Sequence, residues 1–283
     1  ILGGMTSRRS FLSAALLAPA AAGMAFGQRS ADTQRRLRGM LWGSLIGDAA
    51  GGPVEFKSPA EVARWMPGTR GWKASKQLDQ TTLAELAADF RLLPYRPLRP
   101  EPAPYAHWLE DAAAGTVTDD SRHKFLLMSA LRTALRQNSL PIDRRDLARE
   151  YVQYETSAAV RQHAGYQPLC EEWLREYNQA ARWVLGERDP TVASPPERLW
   201  GGIPTNAGQM VLLPLAGAFA GEPDAAYRAA FALGYMDNGT AKALNSAIVA
   251  GLAAAIARPP DEPPEASWQA VRRAMSDTDP YRY

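Results

Sequence analysis

Gly115-Thr-Val-Thr-Asp-Asp-Ser-Arg-His123 sets a hydroxyl and two adjacent carboxylates, Thr118, Asp119 and Asp120, directly ahead of a run with helical spacing. That run places Phe125, Leu127, Met128, Ala130, Leu131, Ala134 and Leu135 at three- and four-residue intervals, the period of a helix with one apolar face. The carboxylates therefore stand where a helix begins. Two chemistries suit that place. One aspartate can cap the helix by accepting a backbone N–H, a contribution of about 1 kcal/mol. Alternatively, the oxygens can hold a hard cation, because Mg2+, Mn2+ and Ca2+ prefer carboxylate, hydroxyl and water ligands. Taken alone the triplet favours the cap, which is much the commoner use of such residues.

Helical spacing recurs on both sides. Asp32 to Ala50 reads as one helix, stopped by Gly51-Gly52-Pro53. Pro59 to Trp65 and Thr82 to Phe90 read as short helices, and prolines 94, 97, 100, 102 and 104 then force an extended surface excursion. After the triplet helix come Asp143 to Ala159 and Leu169 to Leu185, the latter with Trp173, Leu174, Tyr177, Ala180, Ala181 and Val184 as its buried stripe. Pro190 to Pro196 is loop. One helix is expected from Ala207 or Gly208 to Ala220, another over Asp224 to Tyr235, an alanine-rich third over Thr240 to Ala257, and a short last one after Pro264. No alternating run suits a strand, so the chain is expected to be all-α, a single multi-helix domain over residues 29–283.

Composition bounds the function. The chain has 283 residues, 46% hydrophobic and 22% charged, an ordinary globular mixture. Its one cysteine, Cys170, excludes an internal disulfide or a multi-cysteine metal site and reads as a small buried apolar residue. Near the N-terminus, Met5-Thr-Ser-Arg-Arg-Ser-Phe-Leu12 precedes an apolar stretch from Phe11 to Phe26. Paired arginines before such a stretch are the layout of a twin-arginine export signal, here residues 1–28, and the expected destination is periplasmic or extracellular. The stretch is short and interrupted by Pro19 and Gly23, so no stable membrane span is expected once the signal is gone. Without those residues 30 basic side chains face 30 acidic ones. A balanced surface has no electrostatic footprint for a polyanion, which argues against nucleic acid as a partner.

Upstream of the triplet, Gly39-Met-Leu-Trp-Gly43-Ser-Leu-Ile-Gly47-Asp48-Ala-Ala-Gly51-Gly-Pro53-Val-Glu55-Phe56 resembles the opening of the ADP-ribosylglycohydrolase family, a small-residue helix of the form G-x-x-x-G-D-A-x-G-x-P-x-E. Thr118-Asp119-Asp120-Ser121 is similar to the family's T-D-D before a helix, and Asn206-Ala-Gly-Gln-Met210-Val-Leu-Leu-Pro214-Leu215 to its N-G-x-x-M-R-x-x-P-L segment. The three matches come in the family's order. The resemblance implies an all-α domain with a central cleft and a two-metal Mg2+ or Mn2+ site that hydrolyses an ADP-ribosyl, or related ribosyl, N- or O-glycosidic bond. It makes Thr118, Asp119 and Asp120 metal ligands, Glu55 the acidic residue over the cleft, Asn206 and Gly208 substrate-binding residues, and ADP-ribose or an ADP-ribosylated substrate the partner.

Two further residues take supporting roles in this reading. Asp48 is expected to serve a helix end or the adjacent loop, and His123 to lie behind the ligands or face solvent. The chain also departs from the family pattern. Val211 replaces the usual arginine and Ala207 the second glycine, and the G-G-D-x-D-[ST] segment that supplies the second half of the metal site has no match. The nearest candidate, Asp277-Thr278-Asp279, lacks the glycines. The domain is therefore read either as C-terminally incomplete or as a relative with a half-built metal site, a non-catalytic ADP-ribose-binding or structural protein.

Overall fold

Side chains spaced for one buried face form helices throughout the residues that the computed structural model describes, which are 31–51, 58, 60, 119–139, 141–157, 167–259 and 261–279. Among them are nine α-helices, one 3-10 segment and no strand. They are α1 (Ala31–Gly51), α2 (Asp119–Gln137), α3 (Arg144–Glu155), α4 (Gln167–Leu185), the 3-10 segment (Pro196–Gly202), α5 (Ala207–Leu212), α6 (Pro214–Ala218), α7 (Pro223–Leu233), α8 (Gly239–Ile256) and α9 (Pro264–Thr278). The all-α expectation holds. The short helices expected near Pro59 and Thr82, the proline-rich excursion and the export signal lie outside the described residues.

Helix starts are chemically marked. In α2 the acids Asp119 and Asp120 occupy the first turn and Arg136 the last, the arrangement that the helix dipole favours at both ends. In α3 the Asp143 carboxylate accepts from the amides of Arg145 and Asp146, and the Asp146 carboxylate accepts in return from the amide of Asp143. This reciprocal cap contributes about 1 kcal/mol. One expectation needs refinement: the helix expected from Ala207 or Gly208 to Ala220 is two segments, α5 and α6, whose hydrogen-bond ladder is interrupted at Leu213 while that residue keeps helical dihedrals. Pro214 has no amide hydrogen for the ladder and its ring crowds the preceding turn, so the chain restarts there with proline in the first helical position.

The core gathers Leu126, Leu127, Leu147, Tyr151, Leu174 and Val211 with the alanine faces of α4, α7 and α8. Helices α3 and α4 pack side by side, α2 lies against α3 and α5, and α8 is flanked by α7 and α9. Small residues set the closest approaches. A Cβ on Gly251 of α8 would fall 2.9 Å from Val271 of α9, and one on Gly217 of α6 would fall 2.4 Å from Leu37 of α1. Helix α8 is long and apolar enough to cross a membrane by composition, but half of it is buried inside the protein, as befits a central core helix. Arg36 of α1 donates to the carbonyls of Ala255 and Pro259 at the far end of α8, which fastens the first helix across the bundle.

Leu127 is fully buried between these layers. Leu127→Ala should lower the free energy of unfolding by about 2–5 kcal/mol, read as a reduced urea midpoint with an unchanged slope.

Candidate functional site

Asp119, Asp120 and Ser121 make the first turn of α2. The amide of Ser121 donates to the Asp48 carboxylate at 3.0 Å, and the Ser121 hydroxyl donates to the same oxygen at 2.5 Å. Asp48, in the last turn of α1, thus caps this helix start from 73 residues away. For this amide the capping role passes to Asp48 and not to Asp119 or Asp120, and Asp48 partners a helix end as expected. One turn on, Lys124 is 7% exposed. Burial pulls its ammonium below the ordinary lysine range, while Asp120, Asp48 and Asp119 pull it back up. Three carboxylates and a cation therefore share one electrostatic neighbourhood. Beside it, an apolar cavity of about 150 Å3 opens between α1 and α2, walled by Leu41, Trp42, Leu45 and Phe125 with Ser121 and Lys124 in its lining.

Behind the acidic turn is a buried aromatic group. His123, expected behind the ligands or facing solvent, is fully buried, and its Nδ1 lies 2.9 Å from the Tyr151 hydroxyl. The Tyr177 ring centres 4.0 Å from that imidazole, stacks on Tyr151 at 5.6 Å, and meets the edge of Trp200 at 5.5 Å. Burial, then the charges of Lys124 and Arg122, lowers the His123 pKa to about 3, so the ring is neutral at physiological pH. Burial also pushes the Tyr177 phenol well up, with Asp119, Asp237, Asp120 and Tyr235 adding to the effect. Tyr177 thus lies in the field of the acidic pair and of Asp237 together. Its hydroxyl and that of Tyr235 are buried with no hydrogen-bond partner among the described residues.

Asp237 and its neighbours form the other side. Its carboxylate is 3% exposed and accepts from the amide of Gly208 at 2.8 Å and from Nδ2 of Asn245 at 2.9 Å. Burial raises its pKa, opposed by those two hydrogen bonds and by the Lys242 cation. Gly208 has to be glycine, since a Cβ there would fall 1.9 Å from the Asp237 carboxylate. The segment that leads in is strained: Trp200 has φ of 49° and is followed by Gly201 and Gly202 at 70° and 77°. A left-handed tryptophan is a genuine outlier, with a cost of order 1–3 kcal/mol. Asn206 follows, exposed, as the N-cap residue of α5, and its side chain makes no capping bond.

Asp119 and Asp120 are together at a helix start, as expected, and Asn206 and Gly208 open α5. Helices α2 and α5 are in contact, and Tyr177 feels both the acidic pair and the carboxylate that binds Gly208. Thr118 and Glu55 lie outside the described residues. The segment Asp277-Thr278-Asp279 sits at the C-terminal end of α9, with Asp279 buried. Sequence reading missed Tyr177 as more than core, and Asp237 altogether. Asp237 had a signal, an acid just ahead of a small-residue helix. As a donor set, adjacent aspartates on a rigid first turn suit a hard divalent ion. Among the described residues, however, no group of three or more His, Cys, Asp or Glu side chains gathers to complete a coordination sphere.

A sequence profile described as ADP-ribosylglycohydrolase matches residues 29–282. No curated protein and no solved structure matches the chain significantly.

Two measurements check this geometry. Because His123 stays neutral in the fold, stability is full above its unfolded pKa of 6.5 and falls as the pH drops from there towards about 3. The slope is at most about 1.4 kcal/mol per pH unit, and His123→Gln should remove it from a stability-against-pH curve. Tyr177→Phe keeps every ring contact and deletes a buried hydroxyl whose desolvation costs about 1–3 kcal/mol. Its melting temperature should equal or exceed that of the wild type, and a marked drop would mean the hydroxyl is satisfied.

Proposed function

Because the chain belongs to the ADP-ribosylglycohydrolase family, with a match over residues 29–282, we propose that its glycohydrolase chemistry is metal-dependent hydrolysis of an ADP-ribosyl, or related ribosyl, N- or O-glycosidic bond. The observation that carries the metal reading is the acidic pair on the first turn of α2, with that turn clamped by Asp48. Asp119 and Asp120 are the described residues that would hold Mg2+ or Mn2+, with Thr118 as a third ligand and Glu55 over the cleft. When bound, such an ion supplies a grip on ribose hydroxyls and a more acidic water.

The chain's own groups do the rest. Departure of the group on the sugar carbon builds positive charge there, and carboxylates at the mouth of α2 stabilise that charge. Lys124, in the field of three acids, tempers their mutual repulsion while no cation is present. Neutral His123 and the buried tyrosines give the acidic turn an unyielding base, so the ligands keep their positions as charge develops. Asn206, whose amide is not spent on capping, offers a donor and an acceptor to the sugar or its phosphates. Part of the same proposal is export through the twin-arginine route directed by residues 1–28, which allows a metal to be loaded before the folded domain leaves the cytoplasm.

A second reading rests on the sequence, in which the G-G-D-x-D-[ST] segment has no match: a relative that binds ADP-ribose without turning it over. Release of ADP-ribose from a modified protein, assayed with Mg2+ or Mn2+, separates the two. Asp119→Ala and Asp120→Ala should each lower the rate by roughly 100-fold or more. Activity indifferent to both changes would sink the proposal, and calorimetric binding of ADP-ribose without hydrolysis would favour the binding protein.

A further inference from the structure

We infer that the apolar cavity between α1 and α2 is a binding site for a small aromatic monocarboxylate, its ring against Trp42 and Phe125 and its carboxylate paired with Lys124. The inference does not depend on the hydrolase reading. What points to a ligand is the ammonium. Lys124 is 7% exposed, lines the cavity, and makes no hydrogen bond or ion pair among the described residues. Taking a charge out of water is costly unless an opposite charge meets it. Asp48, Asp119 and Asp120 act on this one only from a distance, and burial pulls the ammonium below the ordinary lysine range more strongly than the three acids together pull it back. Ser121 also lines the cavity, but its hydroxyl proton is committed to Asp48. Lys124 is thus the buried donor of the lining, and Arg38, exposed on α1, adds a second positive charge.

Size and wall chemistry set the rest of the ligand. The cavity holds about 150 Å3, and apolar cavities of that order take one benzene ring. Trp42 of α1 and Phe125 of α2 are each more than half exposed and bring aromatic surface to it from both helices, with Leu45 and Met128 completing the apolar walls. A flat ring laid against them removes apolar surface from water on both of its sides and gains aromatic contact at little conformational cost. An acyl chain of equal volume would lose rotational freedom on entry and gain no such contact. The charge is limited as well. A phosphate dianion would double the repulsion from Asp48, Asp119 and Asp120 for the same single contact with Lys124, whereas a carboxylate matches the one ammonium with one negative charge.

The test titrates the full chain with benzoate, benzyl alcohol and acetate. Binding is followed in nitrogen-edited NMR spectra by the indole N–H of Trp42, identified by its loss in Trp42→Phe. Benzoate should shift that signal and bind about tenfold or more tighter than benzyl alcohol, which lacks the charge, and than acetate, which lacks the ring. Lys124→Met keeps an unbranched side chain and removes the buried charge, so it should fold with an equal or higher melting temperature. It should weaken benzoate about tenfold or more and bind benzyl alcohol at least as well as the wild type does. Leu45→Trp fills the cavity and should abolish binding of both. Equal wild-type affinities for benzoate and benzyl alcohol, or benzoate binding unchanged by Lys124→Met, would overturn the inference by removing the pairing with Lys124. Acetate binding as tightly as benzoate would overturn it by removing the ring. A Trp42 signal indifferent to all three compounds would also overturn it, and would leave the groove to another part of the chain or to a second copy.

Discussion

Two helices begin at the site, and in each a first-turn amide is bound by an acid from a distant part of the chain. Asp48 takes the amide of Ser121 in α2, and Asp237 takes that of Gly208 in α5. A helix start leaves four amides without intrahelical partners, and the usual solution is a side chain one to three residues upstream. Here the solution is tertiary. The start of α2 is placed by the end of α1, and the start of α5 by the entrance to α8, so neither can settle until the bundle has assembled. The acidic pair inherits its position from that constraint. At the same time, because Asp48 serves the Ser121 amide, Asp119 and Asp120 are not needed for it.

Between the two helix starts the interior is unusually polar. His123, Tyr151, Tyr177 and Tyr235 are almost fully enclosed, and only some of their polar atoms have partners that are evident among the described residues. Each unsatisfied hydroxyl costs about 1–3 kcal/mol against a total stability of about 5–15 kcal/mol, so the core around it has to be well packed to tolerate it. The flat stack of Tyr151 on Tyr177 and the imidazole over it supply area and dispersion in place of hydrogen bonds. Trp200 adds to that packing from a backbone conformation that bulky residues avoid. A strained backbone and the buried hydroxyls of Tyr177 and Tyr235 thus belong to one aromatic interior, where Trp200 meets Tyr177.

Much of the fold was legible because its signals are local. Apolar spacing gave the helix at Asp119, the stripe through Leu174 and Tyr177, and the alanine-rich core helix. The interruption at Pro214 was not read, because the apolar run across it looks continuous and Leu213 stays helical. The acidic pair was legible for the same reason, as neighbours in sequence at a marked helix start. Asp237 was not read, because an acid ahead of a small-residue helix marks only a helix start, and its partners, 29 residues before it and 8 after, are visible only in the fold. His123 reads as peripheral when only its own helix is considered, and it is the approach of Tyr151 and Tyr177 from α3 and α4 that buries it.

Distance along the chain also decides what the site is sensitive to. A local cap survives partial unfolding of its surroundings, whereas the bond from Asp48 to Ser121 exists only while α1 lies on the bundle. Helix α1 is held there by Leu37 against Gly217 and by Arg36 on the carbonyls that end α8, contacts well away from the acidic pair. Loosening either end of α1 therefore withdraws Asp48 from Ser121, and with it goes the restraint on the turn that carries Asp119 and Asp120. The neighbouring carboxylates then lose their imposed spacing, and their repulsion favours separation over convergence. A hard ion needs oxygens that are already close, since gathering like charges costs several kcal/mol at effective dielectric constants near 20. On the proposed metal reading, the integrity of the first helix is a condition for holding an ion, even though Asp119 and Asp120 lie on the second.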